Sequence, residues 1–392
     1  MTDDERAIST RCVHGKDVRT AGPVATPIAQ TSTFVFEDQQ QIIDSVSGVS
    51  GRHLYTRWGN PTTHQVEQKI SALEGTEESI VFASGMAAIT STILGLVKSG
   101  EMILSTDSIY GGSFNLFQKL SNEMRFGIDF VDCDDFVDRI KDSNGSYKLC
   151  YFESPTNPTL KVVDIKAVAE ASRSTGTISV IDSTFGTPIN QQPHRMGIDV
   201  VMHSATKYLG GHSDLIAGTI SASSELIKSI RKSSKLFGGT PDPFAAFLLD
   251  RGIKTLAVRV ERHNENAMFL ASKLSTDKRV RQVHYPGLPN HPNHDIAKSQ
   301  MSGFGGMLSI DLDCGREEAM TFVDSLNLFL NAVSLGGVES LVSIPTLTSH
   351  HDISQETLSE MGISESTIRL SVGIEDANDL YADIMQALEK IF

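Results

Sequence analysis

Paired cysteines, long apolar runs and surplus positive charge are all missing from this chain of 392 residues. Its four cysteines, Cys12, Cys133, Cys150 and Cys314, are scattered, with no CxxC or CxxxC pair. That spacing gives no support for a zinc site and fits reduced thiols in a cytoplasmic protein. The most apolar stretch, Ala87 to Val97, is too short to span a bilayer and carries Thr90, Ser91 and Thr92. Met1-Thr2-Asp3-Asp4-Glu5-Arg6 is acidic, so no secretory leader is expected. Lys and Arg number 34 against 48 Asp and Glu, and the resulting net charge of −14 opposes binding to nucleic acid or an anionic membrane. With 31 Gly and 13 Pro, usage is ordinary, which excludes collagen-like and low-complexity chains. The composition that remains is that of an acidic, soluble protein handling small molecules.

What is present is an alternation. At roughly 150 residues per domain, the length suggests two domains, with chain enough for a core that needs no disulfides. The first sixty residues lack periodicity and read as an arm (1–60). A helix is expected from Thr63 to Glu74, with Val66, Ile70 and Leu73 on one face and Gly75 as its stop. Strands are expected at Ser79–Ala83, Glu101–Ser105, Leu149–Glu153, Ser179–Asp182, Val200–His203 and Leu215–Ser221. Helical stripes separate several of them, the first running through Met86, Ile89, Ile93, Leu94 and Val97. This alternation predicts an α/β fold with a mostly parallel sheet flanked by helices. It spans 61–250. Beyond residue 250 the pattern changes to a long helix at Arg259–Leu274, strands at Gly306–Asp311 and Thr367–Val372, and a helix at Glu317–Leu326. A final amphipathic helix carries Leu380, Ile384, Leu388 and Ile391. That segment (251–392) reads as a smaller C-terminal α+β domain.

Ligands of parallel sheets collect at the carboxyl ends of the strands, and three such ends carry reactive chemistry. Ser84-Gly85-Met86 lies where a strand meets a helix N-terminus, whose amides suit an anion, although the same turn also serves simply to reverse a chain. Asp182 ends a strand and, taken alone, reads as the cap of a following helix. Ser204-Ala205-Thr206-Lys207 ends another, and burial of Lys207 after an apolar run would lower its pKa and free the amine as a nucleophile. The bland alternative is a surface lysine. Together these features offer what pyridoxal 5′-phosphate (PLP) requires: a lysine, a carboxylate for the pyridine nitrogen and donors for the phosphate.

Ser204-Ala-Thr-Lys207-Tyr-Leu-Gly-Gly-His-Ser-Asp214, Tyr55-Thr-Arg57-Trp-Gly-Asn-Pro-Thr62 and Ser84-Gly-Met-Ala-Ala88 resemble the Cys/Met metabolism family of fold-type I PLP enzymes. Glu153-Ser-Pro-Thr-Asn-Pro158, Ser334-Leu-Gly-Gly-Val-Glu-Ser-Leu341 and Arg369-Leu-Ser-Val-Gly-Ile-Glu-Asp376 extend the likeness along nearly the whole chain. The resemblance implies that Lys207 bonds the cofactor and shuttles protons. Asp182 would hold the pyridinium proton, and Gly85, Met86, Ser204 and Thr206 would bind the phosphate. Tyr110 would stack on the ring, and Asn157 would lie near its phenolic oxygen. Tyr55 and Arg57 would reach the phosphate of a neighbouring subunit, implying a homo-oligomer, a tetramer of two active dimers. Arg369 would hold the α-carboxylate of an amino-acid substrate, with Ser340 nearby. Here the residues speak independently: Ile368, Leu370 and Val372 alternate with Arg369 and Ser371, so Arg369 faces away from the apolar set, and its fork suits a carboxylate.

The family eliminates or replaces γ-substituents, and two positions bear on which. Cystathionine-handling relatives carry an arginine five residues after the stacking tyrosine, where this chain has Asn115. O-acetylhomoserine sulfhydrylases carry asparagine there but are longer. Methionine γ-lyases match in length and need no distal cation, but they place a cysteine where Gly112 stands. The expectation is a methionine γ-lyase-like carbon–sulfur lyase. The alternatives are cystathionine γ-synthase, cystathionine γ-lyase or O-acetylhomoserine sulfhydrylase chemistry, and, in another class, an inactive PLP-binding regulatory relative.

Other signals are given structural readings. His291-Pro-Asn-His294 reads as a loop, not a metal-binding helix face. His350-His351 reads as a surface loop near the substrate entrance. Gly303-Phe-Gly-Gly306 runs into a strand and so fails as a dinucleotide fingerprint. Met301 and Met307 read as packing residues.

Overall fold

Apolar runs in the middle of the chain become the strands of a seven-stranded sheet: β1 (Glu78–Phe82), β2 (Met102–Thr106), β3 (Gly127–Val131), β4 (Tyr147–Glu153), β5 (Ile178–Asp182), β6 (Val200–His203) and β7 (Gly218–Ala222). The computed structural model describes residues 6–16, 21–348, 356, 358 and 361–392. His350 and His351 lie outside the described residues. Strand order is β1-β7-β6-β5-β4-β2-β3, and every pair is parallel except β7 with its two neighbours. The exception has a local cause. Parallel neighbours need a crossover, usually a helix, and the segment from Ser204 to Ala217 contains none, so the chain returns antiparallel. Lys207 sits in that return.

Side chains alternate across the sheet. Ile103, Leu149, Tyr151 and Met202 pack on one side, with Ile89, Ile93 and Phe117 from the covering helices. Leu104, Cys150, Phe152 and Val201 pack on the other, with Phe136, Ile165 and Val168. Each fully buried side chain of this size stabilises the fold by about 1.5–3 kcal/mol. Local signals set the helix starts. Asn60 caps Pro61–Glu74, with proline at the position whose N–H is not needed, and left-handed Gly75 stops it.

A second sheet contains β8 (Val280–His284), β9 (Met307–Leu312), β10 (Leu330–Asn331), β11 (Leu341–Ser343) and β12 (Thr367–Ser371), ordered β10-β11-β12-β9-β8 and mostly antiparallel. One face carries Leu308, Ile310, Ile368 and Leu370, packed on helices Leu256–Leu274, Arg316–Ser325 and Ala377–Leu388. The other face carries Ser309, Ser343 and Arg369 in register and turns toward the first sheet, where the Ser309 hydroxyl donates to the Pro158 carbonyl at 2.7 Å. Helices Ile8–His14 and Gln39–Val46 lie within the expected arm. The last helix stops at Leu388, leaving Ile391 beyond it. No helix among the described residues is long and apolar enough to cross a membrane.

Candidate active site

The carboxyl ends of β1, β4, β5 and β6 open on one cavity of about 510 Å³, closed from the far side by β12 and the segment through Ser334. Gly85, Met86, Tyr110, Asn157, Asp182, Ser204, Thr206, Lys207 and Arg369 all line it, as do Glu153, Thr184 and Ser334.

Each wall has a sequence cause. Helix Gly85–Leu96 is capped by Ser84, whose hydroxyl accepts from the Ala87 amide, so the cap leaves the Gly85 and Met86 amides to the cavity. Glycine at 85 keeps this approach close, because a Cβ there would crowd the Ser204 side chain at 3.2 Å. Thr206 is partly committed already: its hydroxyl donates to the Ala217 carbonyl at 3.2 Å and accepts from the Ala217 amide at 3.0 Å, stitching the Lys207 loop shut. Asp182 does not cap a helix, since Gly186 occupies the next cap position. Its carboxylate accepts instead from the Thr184 amide at 2.9 Å and the Thr184 hydroxyl at 2.5 Å.

Lys207 Nζ donates to the Ser334 hydroxyl at 2.9 Å. Burial, reinforced by the charge of Arg369, lowers its pKa to about 8. Arg369 is itself buried, which pulls its guanidinium down to about 10. It donates to Asn157 Oδ1 at 3.1 Å and to the Ser334 carbonyl at 3.4 Å, and among the described residues no carboxylate pairs with it. A buried guanidinium without an anionic partner is costly, and an incoming carboxylate would relieve that cost.

Glu153 and Asp182 are direct register partners at the ends of β4 and β5. At the spacing of adjacent strands, about 5 Å, two carboxylates repel by about 3 kcal/mol at an effective dielectric of 20. A helix N-terminus returns at most about 2 kcal/mol, so the two do not both ionise. Burial and the charge of Asp182 hold the Glu153 carboxyl well above the usual range. Burial raises Asp182 too, but the donations from Thr184 and the charge of His203 pull it back.

Residues 9–389 match the profile of the family described as Cys/Met metabolism PLP-dependent enzyme. The chain belongs to that family. It is 42% identical over 387 residues to a cystathionine beta-lyase of Lactococcus lactis, covering 98% of this chain and 99% of that protein. It is 40% identical over 386 residues to a cystathionine gamma-lyase of Dictyostelium discoideum, covering 98% of each. A solved cystathionine gamma synthase from Xanthomonas oryzae, in complex with cystathionine, superposes with a TM-score of 0.92 at 36% identity, again covering 98% of each chain. The protein is therefore a PLP-dependent enzyme of the trans-sulfuration group, with the fold-type I architecture of its relatives.

The cavity fits that cofactor by its donor set. Helix amides and the Ser204 hydroxyl suit a phosphate, Asp182 suits a pyridinium, and Lys207 is an amine lowered toward neutrality. Gly85 leaves the close approach that a Cβ would fill.

Four of the expected site residues lie elsewhere. Tyr55 is about two-fifths exposed, and Arg57 lines a separate cleft of about 580 Å³ with Arg52, His53, Lys232 and Lys235. Asn115 is exposed on helix Gly111–Met124 and does not line the cavity. Ser340 is also absent from the cavity wall. Its hydroxyl donates to Glu375 at 2.9 Å and accepts from the Gly373 amide at 2.8 Å, bracing the turn instead. Among the other signals, the His291 imidazole is buried, which pulls it down to about 4, and His294 opens helix His294–Gln300.

Sequence reasoning missed Glu153, Thr184 and Ser334 as site residues. Glu153 was within reach, because it ends its strand as Asp182 does. Ser334 gives no such signal, since it approaches Lys207 from 127 residues away.

Proposed function

We propose that the enzyme is a carbon–sulfur lyase for a sulfur amino acid with an uncharged γ-substituent, methionine γ-lyase-like, with water consumed and thiol, 2-oxobutanoate and ammonia released. One observation carries this reading. Among the described residues lining the cavity, Arg369 is the sole guanidinium and Lys207 the sole other cation, so one substrate carboxylate is received and a second is not. The rest of the wall includes the apolar side chains of Phe185, Ile216, Val333 and Leu335.

When bound, PLP supplies an electron sink for charge developing at Cα. Arg369 grips the α-carboxylate, with Asn157 fixing its orientation. Lys207 Nζ, as the free amine, would take the Cα proton, with Ser334 steadying it. Asp182 stays ionised against the ring nitrogen. Gly85, Met86, Ser204 and Thr206 would hold the phosphate, and Tyr110 would cover the ring and give a proton to the leaving sulfur. Tyr55 and Arg57 act across a subunit boundary, in a homo-oligomer built from active dimers. Four free thiols, three of them buried, suit a reducing cytoplasm.

A second reading, cleavage or formation of cystathionine, is favoured by the names of the relatives. It needs a cation for the distal carboxylate, which the described residues lining the cavity do not supply beyond Arg369 and Lys207. Turnover of L-methionine, L-cystathionine and O-acetylhomoserine, with and without added thiol, decides between them. Methionine degraded at least about tenfold faster than cystathionine supports the first reading. The opposite order overturns it.

A further inference from the structure

Helix Gly111–Met124 starts badly by local standards. Its first turn is Gly111-Gly112-Ser113, with no acidic residue, and its cap residue, Tyr110, makes no side-chain capping bond. In many helices a glutamate three residues into the helix reaches back to the amide of the cap residue. Here that amide is taken from outside: Tyr110 N–H donates to Glu153 Oε1 at 2.7 Å, across 43 residues of sequence. The Tyr110 ring is nearly half exposed at the cavity, and it rests where Gly112 has no side chain. A Cβ at 112 would lie 2.4 Å from the ring and 3.1 Å from Met86 Sδ. Backbone anchor and ring seat are thus separate, and Glu153 supplies the first.

The same carboxyl abuts Asp182, and the two do not share the burden equally. Asp182 has two donors from Thr184 and the charge of His203, which Glu74 meets at 2.5 Å. Glu153 has the single Tyr110 amide and no cation against it. The other ionisable groups around the pair are Tyr151, fully buried beside both carboxyls and with its hydroxyl acting on Asp182 to favour the anion there, and Lys207 and Arg369 in the same cavity, which bond to Ser334 and Asn157.

We propose that Glu153 is a positioning residue: the protonated member of the Glu153–Asp182 pair, it pins Tyr110 over the cavity and leaves Asp182 as the pair's single anion. This rests on the roles proposed above for Tyr110 and Asp182. A neutral carboxyl still accepts the amide through its carbonyl oxygen, though less strongly than an anion would, and adds no second negative charge beside the ring nitrogen. The remaining acid proton stays on Glu153 throughout turnover, so no step consumes it.

Infrared difference spectroscopy of the holoenzyme at neutral pH, wild type against Glu153→Gln, tests the protonation directly. The expected result is a protonated-carboxyl carbonyl band present in the wild type and lost in the variant. In kinetics, Glu153→Ala is expected to lower kcat about tenfold or more through misplacement of Tyr110, with the cofactor still bonded. Glu153→Gln, which keeps the acceptor, recovers most of that loss. A wild type without the band, or a Gln variant as slow as the Ala variant, overturns the proposal. Should Glu153→Ala fail to fold, the band and the Gln variant decide alone. The underlying reading fails by a different sign, namely a Lys207→Ala protein that keeps the yellow absorption of the bonded cofactor.

Discussion

A lysine near pKa 8 beside a buried arginine makes cofactor capture depend on pH in a defined direction. Only the neutral amine attacks a carbonyl, so capture by the apoprotein should accelerate about tenfold per pH unit below pH 8 and level off above it. Removing the neighbouring positive charge raises the lysine again. Arg369→Ala should therefore move the limb to higher pH, without abolishing capture, and stopped-flow absorbance checks both curves. An unmoved limb would show that burial alone sets the lysine. Lys207 and Arg369 were legible in the sequence because each interrupts an apolar strand pattern at a strand end or face. The Asn115 argument concerned charge alone, and the exposure of that side chain shows what spacing along a helix cannot tell: which of its faces turns toward the cavity.

At the scale of elements, the strands found from sequence are those buried on both faces, within a residue or two of their true ends except that β7 begins at Gly218, three residues after the expected Leu215. Those missed are short or half-covered. In β3, Gly127-Ile-Asp-Phe-Val, every residue is only partly buried, and a glycine and an aspartate dilute its pattern. β10 and β11, of two and three residues, fall below any periodic signal. Direction was equally hidden, since β7 reads like its neighbours and is reversed only by the loop before it. Where β7 meets the helix that faces the phosphate position, the packing is backbone on backbone: a Cβ at Gly218 would lie 2.3 Å from the Ser84 carbonyl and 2.8 Å from Gly85 Cα. Gly218→Ala should therefore cost about 1–3 kcal/mol in denaturant unfolding and weaken cofactor binding about tenfold. Unchanged affinity in equilibrium titration would separate the helix start from the phosphate.

Across the whole molecule, charge is divided unevenly. The net −14 coexists with a cleft lined by Arg52, Arg57, Lys232 and Lys235, outside the cavity that needs an anion's counter-charge. Our proposal that a neighbouring copy brings Arg57 to that cavity makes a complementation experiment informative. Arg57→Ala and Lys207→Ala proteins, each inactive alone, should regain about a quarter of wild-type activity when co-expressed, because mixed dimers rebuild one complete site. No recovery would place Arg57 within its own subunit's chemistry. That arrangement was inaccessible to periodicity, which describes one chain at a time.

The position of Arg369 on the last strand has a consequence for synthesis. Met86, Tyr110, Glu153, Asp182 and Lys207 have all left the ribosome before β12 exists, and domains emerge from the N-terminal side first. The order of translation therefore places the means of seizing a vitamin ahead of the means of gripping an amino acid. A growing chain thus meets its prosthetic group before it can hold the carboxylate of an amino acid.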